Sequence, residues 1–415
     1  MTRVGAAVLG AVLLLAAPAA ATTYVLPADE TLVEQASVVA QASVAAVEPS
    51  PINGPPSTDY FVQIERVLKG YVAGGTVVVR VPGGIGPDGV GLKISGAPVF
   101  REGERLLLFL APRSDGTYGV LHLMLGAFHE RQSGGHRVAV RALSEASELA
   151  PAAGEEAEGA EPLRDFHGFA EWIGEAAAGR PAEPSYFLAG FAGAERFDEP
   201  PLLRDACTQL AFRWSDFDRG EGVSWHLRAG PARGTGERRA FDRARRSWER
   251  DAGVGLRLRR SPRSGSAAGM GAHDGLNTVL FGDPNDLVSG AFGCRTGGLV
   301  SVTGIWFDNG RGQACERTSP GRKLSYGGRR YLEILEADTV VNDGASCLFA
   351  GGAELPSRLL AHELGHSLGL AHGGDATSLM WAELAPGAPA GPSPAERRAL
   401  ARIYRDPSDD DRPPR

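Results

Sequence analysis

Cysteine is scarce in this chain. There are four in 415 residues, and none before Cys207. With no cysteine behind the N-terminal apolar run, a lipid anchor at that point is not expected. Long hydrophobic runs are missing as well. Beyond the N-terminus no stretch is apolar for long enough to cross a bilayer, so no membrane span is expected. A basic excess is also lacking, since net charge is −7 against 43 Lys and Arg. That removes the broad electrostatic footprint of a nucleic-acid-binding protein. Methionine is rare, with only three besides Met1, so each position is informative. Glycine (56) and proline (28) are abundant instead, which argues against a helical bundle and for a fold rich in strands and loops.

The N-terminus has the pattern of a secretory signal peptide over residues 1–21. Arg3 gives a positive start, residues 4–17 are apolar, and Ala19, Ala20 and Ala21 offer a small-residue cleavage site. The mature protein is therefore expected to be secreted, extracellular or periplasmic, and soluble. Cys207, Cys294, Cys315 and Cys347 form an even set, which in an exported chain favours disulfides. Three pairings are open. Cys294–Cys315 with Cys207–Cys347 is preferred because the first bond would close a local loop. An alternative role for Cys207 is a thiolate that blocks a metal.

Composition divides the chain further. Residues 22–150 read as strands with Gly and Pro punctuation, and so as an all-β barrel or sandwich. Residues 151–205 hold an acidic Ala/Gly/Glu linker and then a connecting helix near 163–178. Residues 206–405 alternate helical and strand patterns: strands at 223–228, 254–258, 277–281, 299–307 and 336–342, and helices at 236–251, 355–370 and 393–404. Residues 406–415 are a polar tail. His122, His129 and His136 recur every seven residues, but in strand and loop context they need not converge on a metal. The arginines of the 236–251 helix alternate with Glu237, Asp242 and Glu249 and read as a solvated face.

The chemistry concentrates in residues 361–372. His362 and His366 are four apart and project from one helix face. Gly369 lets the chain leave the helix, so that His372 can return as a third ligand. Three imidazoles leave one tetrahedral position open, as catalytic zinc sites do. Glu363 is placed to act on a water there. Ser393 and Glu396 have the spacing of a capping box for the last helix.

Residues 362–372 read His-Glu-Leu-Gly-His-Ser-Leu-Gly-Leu-Ala-His, with Met380 eight residues on and Asp375 between. This segment resembles the metzincin zinc metallopeptidases, specifically a matrixin-like, bacterial-type secreted branch. The resemblance covers about the second half of the chain. The first half resembles, more loosely, the β-rich accessory domains that precede secreted bacterial peptidases.

The resemblance implies an α+β catalytic domain with a twisted, mostly parallel sheet, a zinc helix and a C-terminal helix. It implies one catalytic Zn2+ on His362, His366 and His372, with Glu363 as general base. Met380 would form the Met-turn beneath the ligands, and Gly369 and Asp375 would have supporting roles. The activity implied is hydrolysis of peptide bonds in a polypeptide substrate by a zinc-activated water, in a monomer. The strand before the zinc helix would bind substrate as an added strand.

There are departures from that pattern. Gly373 stands where serine is usual, and Cys207 lacks the Pro-Arg-Cys-Gly latency context. Structural zinc has only His273-Asp274 nearby. Calcium is a candidate second ion without an assigned site, although Asp283, Asp286 and Asp308 lie in suitable loops. The alternative reading is a zinc-binding but non-hydrolytic scaffold within a surface adhesion or interaction protein.

Overall fold

The computed structural model describes residues 22–50, 54–143, 147–148, 161–180, 183–192, 202–205, 208–228, 235–251, 256–309, 323–326, 328–350, 352–373, 378–381 and 391–404. These form two sheets and five α-helices.

The first sheet holds β2 (Val38–Pro49), β3 (Ser57–Lys69), β4 (Thr76–Pro82), β7 (Arg105–Pro112) and β8 (Tyr118–Val120). In the order β7-β2-β3-β4-β8 they close on themselves, because β8 pairs with both β4 and β7. The result is a five-stranded barrel, which leaves no free edge in the ring. From β7 the sheet continues through β9 (Ala127–Ser133), β10 (His136–Arg141), β12 (Glu161–Asp165) and β13 (Phe187–Ala192).

The unbroken apolar run Leu106 to Leu110 in β7 now has a cause. Leu106, Leu108 and Leu110 face the barrel interior with Val62 and Val79. Leu107 and Phe109 face outward, where α2 (Phe166–Ala177) covers them with Phe166 and Phe169. Alternate side chains point to opposite faces, so a strand buried on both reads as continuous apolar sequence.

Residues 29–35 differ from the all-strand expectation, since they form helix α1 (Asp29–Gln35). Tertiary contacts fix it. The Asp29 carboxylate, 5% exposed, accepts a two-pronged bond from Arg164 at 2.8 and 3.0 Å and a third from the Tyr186 hydroxyl at 2.9 Å. Asp29→Ala would leave the Arg164 charge buried without its main partner, a loss on the order of 3–5 kcal/mol. The expected outcome is a lower urea midpoint with unchanged slope.

The second sheet runs β16 (Leu258–Ser264), β15 (Val223–Arg228), β17 (Asn277–Phe281), β20 (Arg329–Val341), β18 (Gly298–Asp308), β1 (Thr22–Val25) and β11 (Ser147–Glu148). The first four are mutually parallel and β18 is antiparallel to β20. Between β15 and β16 the chain crosses over through α3 (Thr235–Asp251), as parallel neighbours require. Helices α3 and α4 (Glu354–Ser367) share one core under this sheet with α5 (Pro394–Tyr404). Trp225, Phe241, Trp248, Leu364 and Leu400 lie at its centre. The first half of the chain enters this sheet too. It supplies β1, β11 and the hairpin of β5 (Gly84–Ile85) and β6 (Val90–Ile94), with β6 antiparallel to β18.

The preferred cysteine pairing is corrected by the structure. Cys294 is bonded to Cys347, with Cα atoms 6.5 Å apart. The cause is sheet direction. Strands β17 and β20 are parallel, so the loops that follow them, which carry Cys294 and Cys347, leave from the same end of the sheet. Phe292 N donates to Asp343 O at 2.8 Å and joins those loops. Cys207 and Cys315 lie outside the described residues, as do residues 1–21 and the 406–415 tail.

Candidate metal centre

Helix α4 is buried from Pro356 to Ser367, an unusual position for two histidines and a glutamate. Three hydrogen bonds to its carbonyls hold it in place. Trp248 Nε1 donates to Ala361 O at 2.7 Å, Trp214 Nε1 to Ser367 O at 2.8 Å, and the Tyr404 hydroxyl to Leu368 O at 3.0 Å. The last two carbonyls are among those a helix end leaves without internal partners.

The helix stops in a Schellman turn. Gly369 N donates to His366 O at 2.8 Å, and Leu370 N to Gly365 O at 3.1 Å. Gly369 has φ +89°, and a Cβ there would stand 2.5 Å from Phe212 O. The turn returns His372 to the helix face that carries His362 and His366. Nε2 of His362 lies 2.9 Å from Nε2 of both His366 and His372. Among the described residues this is the only group of three or more His, Cys, Asp or Glu side chains placed to share a metal ion.

The donor chemistry fits a cation. His362 Nδ1 lies 2.7 Å from Leu379 O, and His366 Nδ1 lies 2.9 Å from Leu370 O. A carbonyl oxygen only accepts, so both Nδ1 atoms carry the proton. Burial pushes the His362 pKa down to about 4 and that of His366 well below its ordinary value, so both rings are neutral. Two bare Nε2 lone pairs therefore face each other at 2.9 Å. No proton is available between them, and a cation is what such an arrangement accommodates. Backbone carbonyls on the far ring nitrogens are also the usual outer support of metal-binding imidazoles.

Met380 is fully buried, with its sulfur against α4 at Gly365. A Cβ on Gly365 would stand 2.4 Å from its Sδ, so glycine at 365 admits the thioether. The turn around Met380 is tied to α5 through Glu396, which accepts from Ser378 Oγ at 2.6 Å and from Met380 N. Glu396 also closes the capping box with Ser393, accepting from Ser393 N while Ser393 Oγ accepts from Glu396 N at 3.3 Å. One carboxylate thus caps a helix and fixes the turn whose Leu379 carbonyl sets the His362 tautomer. Burial raises its pKa against these bonds. Glu396→Ala is expected to lower the affinity of the three-histidine cluster for added zinc about 10- to 100-fold, as loss of outer support does at a metal site, without changing a histidine. Competition with a chromophoric chelator measures it.

Glu363 is also fully buried, on the side of α4 that faces β18. Its Oε1 accepts from Ser301 Oγ at 2.6 Å and from Thr23 Oγ1 at 2.9 Å, and its Oε2 from Thr303 Oγ1 at 2.6 Å. Burial raises its pKa, and the three hydroxyls oppose that rise.

No protein-family model matches this sequence, and a search of curated proteins gives no match.

Asp375 lies outside the described residues. His273 has Glu336 at 3.8 Å, and no third ligand joins them among the described residues. Asp283 accepts from Val288 N at 2.7 Å and braces its own loop. His122 and His129 do not converge. His122 Nε2 meets Gln35 Oε1 at 2.8 Å, and His129 Nδ1 meets Glu104 Oε1 at 2.9 Å. Thr23, Ser301, Thr303 and the second role of Glu396 escaped the sequence reading. Ser301 and Thr303 did leave a signal, because they are hydroxyls at i and i+2 in an otherwise apolar strand and so share one buried face. Thr23 left none.

Proposed function

We propose that the chain is a secreted zinc endopeptidase of the matrixin-like metzincin type. Its second half would carry catalysis, and Glu363 would serve as general base. The observation that supports it best is the convergence of three imidazole Nε2 atoms, two of them fixed as lone-pair donors by backbone carbonyls. His362, His366 and His372 would hold the ion. A zinc ion bound there supplies polarisation of a carbonyl and acidification of a water. Glu363 then accepts the proton of the attacking water and returns it to the leaving amine nitrogen. Ser301 and Thr303 hold its carboxylate still meanwhile. Helix α4, which carries Glu363, packs at Gly365 against the buried Met380 and Trp248. The strand before the zinc helix, β20, is paired on both sides by β17 and β18 and offers no edge to an added strand, so an extended polypeptide would bind beside β18 instead, through main-chain hydrogen bonds.

One observation favours the second reading, a zinc-binding scaffold without hydrolysis. The Glu363 carboxylate is engaged by three hydroxyls and has no exposed surface. Metal analysis and cleavage-site profiling of the purified protein, with and without a chelator, separate the two. The peptidase reading expects stoichiometric zinc and chelator-sensitive cuts. Zinc with no cut in a broad peptide library supports the scaffold.

A further inference from the structure

The second half of the chain would form a sheet ending at β18, with the outer side of that strand open. In the structure that side is covered along its whole length by the first half. Strand β1 pairs antiparallel with its beginning, Thr22 opposite Val302, Thr23 opposite Ser301, Tyr24 opposite Leu299 and Val25 opposite Gly298. Strand β6 pairs with the rest, from Gly304 opposite Ile94 to Asp308 opposite Val90. An open sheet edge is a template for an added extended chain, and here both additions are internal.

The β1 segment does more than cover the edge. Its side chains alternate between the two faces. Thr23 points to the α4 side and donates its hydroxyl to Glu363 Oε1 at 2.9 Å. Tyr24 points the other way into the core of Leu92, Leu123, Met124 and Leu299. Thr22 Oγ1 donates to Ser95 O, and both threonines are fully buried. The fit on the receiving side is close, since a Cβ on Gly297 would lie 2.7 Å from Val25 O.

We propose that residues 22–25 are a built-in occupant of the peptide-binding edge of β18. They hold the site closed by taking both the main-chain hydrogen bonds and the general base that an extended polypeptide would use. This rests on the peptidase reading of the site. The Thr22–Val25 segment must leave β18 before a substrate can pair there. The regulator is then the register of one short strand anchored by Tyr24, and release of the N-terminal segment is activation.

The test compares the full chain with its Tyr24→Asp variant, whose charge cannot stay in that core. The probe is a fluorescein-labelled peptide with the sequence of residues 22–27, followed by fluorescence anisotropy. Casein cleavage and hydrogen exchange of the β18 amides are measured in parallel. The variant is expected to bind the peptide at least about ten-fold tighter than the parent and to cut casein at least about ten-fold faster. Its amides at 298–302 should lose protection and regain it on adding peptide. Equal peptide affinity in the two proteins overturns the proposal.

Should Tyr24→Asp fail to fold, a protease site engineered between β1 and α1 is cut in the folded protein, and the same comparison is made before and after the cut. Peptide binding to the released chain with no casein cleavage supports the occupied edge and refutes the peptidase reading. Equal casein cleavage with equal peptide affinity does the reverse.

Discussion

Glu363→Gln is expected to lower casein cleavage about 10²- to 10⁴-fold, the range general acid–base catalysis contributes. Zinc content should stay stoichiometric. Glutamine keeps the shape of the side chain and can still accept from Ser301 or Thr303 through its amide oxygen, so the packing of α4 against β18 is retained. What it cannot do is take a proton from water. The three histidines are untouched, and the Nδ1 atoms of His362 and His366 remain bound to Leu379 O and Leu370 O. Activity and metal binding should therefore separate. A variant that loses zinc together with activity would place Glu363 in the structure of the site rather than in its chemistry. One that keeps full activity would sink the general-base assignment.

Gly369→Ala should cost both stability and metal. The residue sits at φ +89°, where an L side chain is strained by roughly 1–3 kcal/mol. The added Cβ would also lie 2.5 Å from the Phe212 carbonyl, which belongs to β14 (Ala211–Arg213) and is fixed by pairing with β20. That carbonyl is backbone and not the flexible end of a side chain, so the turn must move. That turn places Leu370 O on His366 Nδ1 and carries His372 into the triad. We expect a loss of about 3 kcal/mol or more, combining backbone strain with an overpacked contact, and zinc affinity reduced by at least about ten-fold. Urea denaturation of the metal-free protein reads the first effect. Chelator competition reads the second. Unchanged affinity would mean that His372 reaches the site without this turn.

Much of the site is local in sequence, and that part was legible. His362 and His366 share a helix face because four residues make slightly more than one turn. Gly369 marks the end of α4 because few other residues tolerate its backbone angles. Strands such as β17 and β18, and helices α3 and α5, showed their hydrophobic period and fell near their expected bounds. The capping box of α5 could be read from Ser393 and Glu396 alone. The helix at Asp29–Gln35 could not, because its anchor is Arg164, 135 residues away.

Residues 361–372 alone determined that three imidazoles and a carboxylate could meet at one point, since helix pitch and a glycine turn act over a dozen residues. Tertiary structure decided everything that depends on which strands lie side by side. Parallel β17 and β20 bring Cys294 to Cys347, against the pairing suggested by loop length. The buried face of β18 turns Ser301 and Thr303 toward Glu363. The edge of that strand draws in Thr23, 340 residues from the Glu363 whose carboxylate it meets. Hydrogen bonding along a sheet edge is blind to sequence separation, which is why no local pattern could announce it.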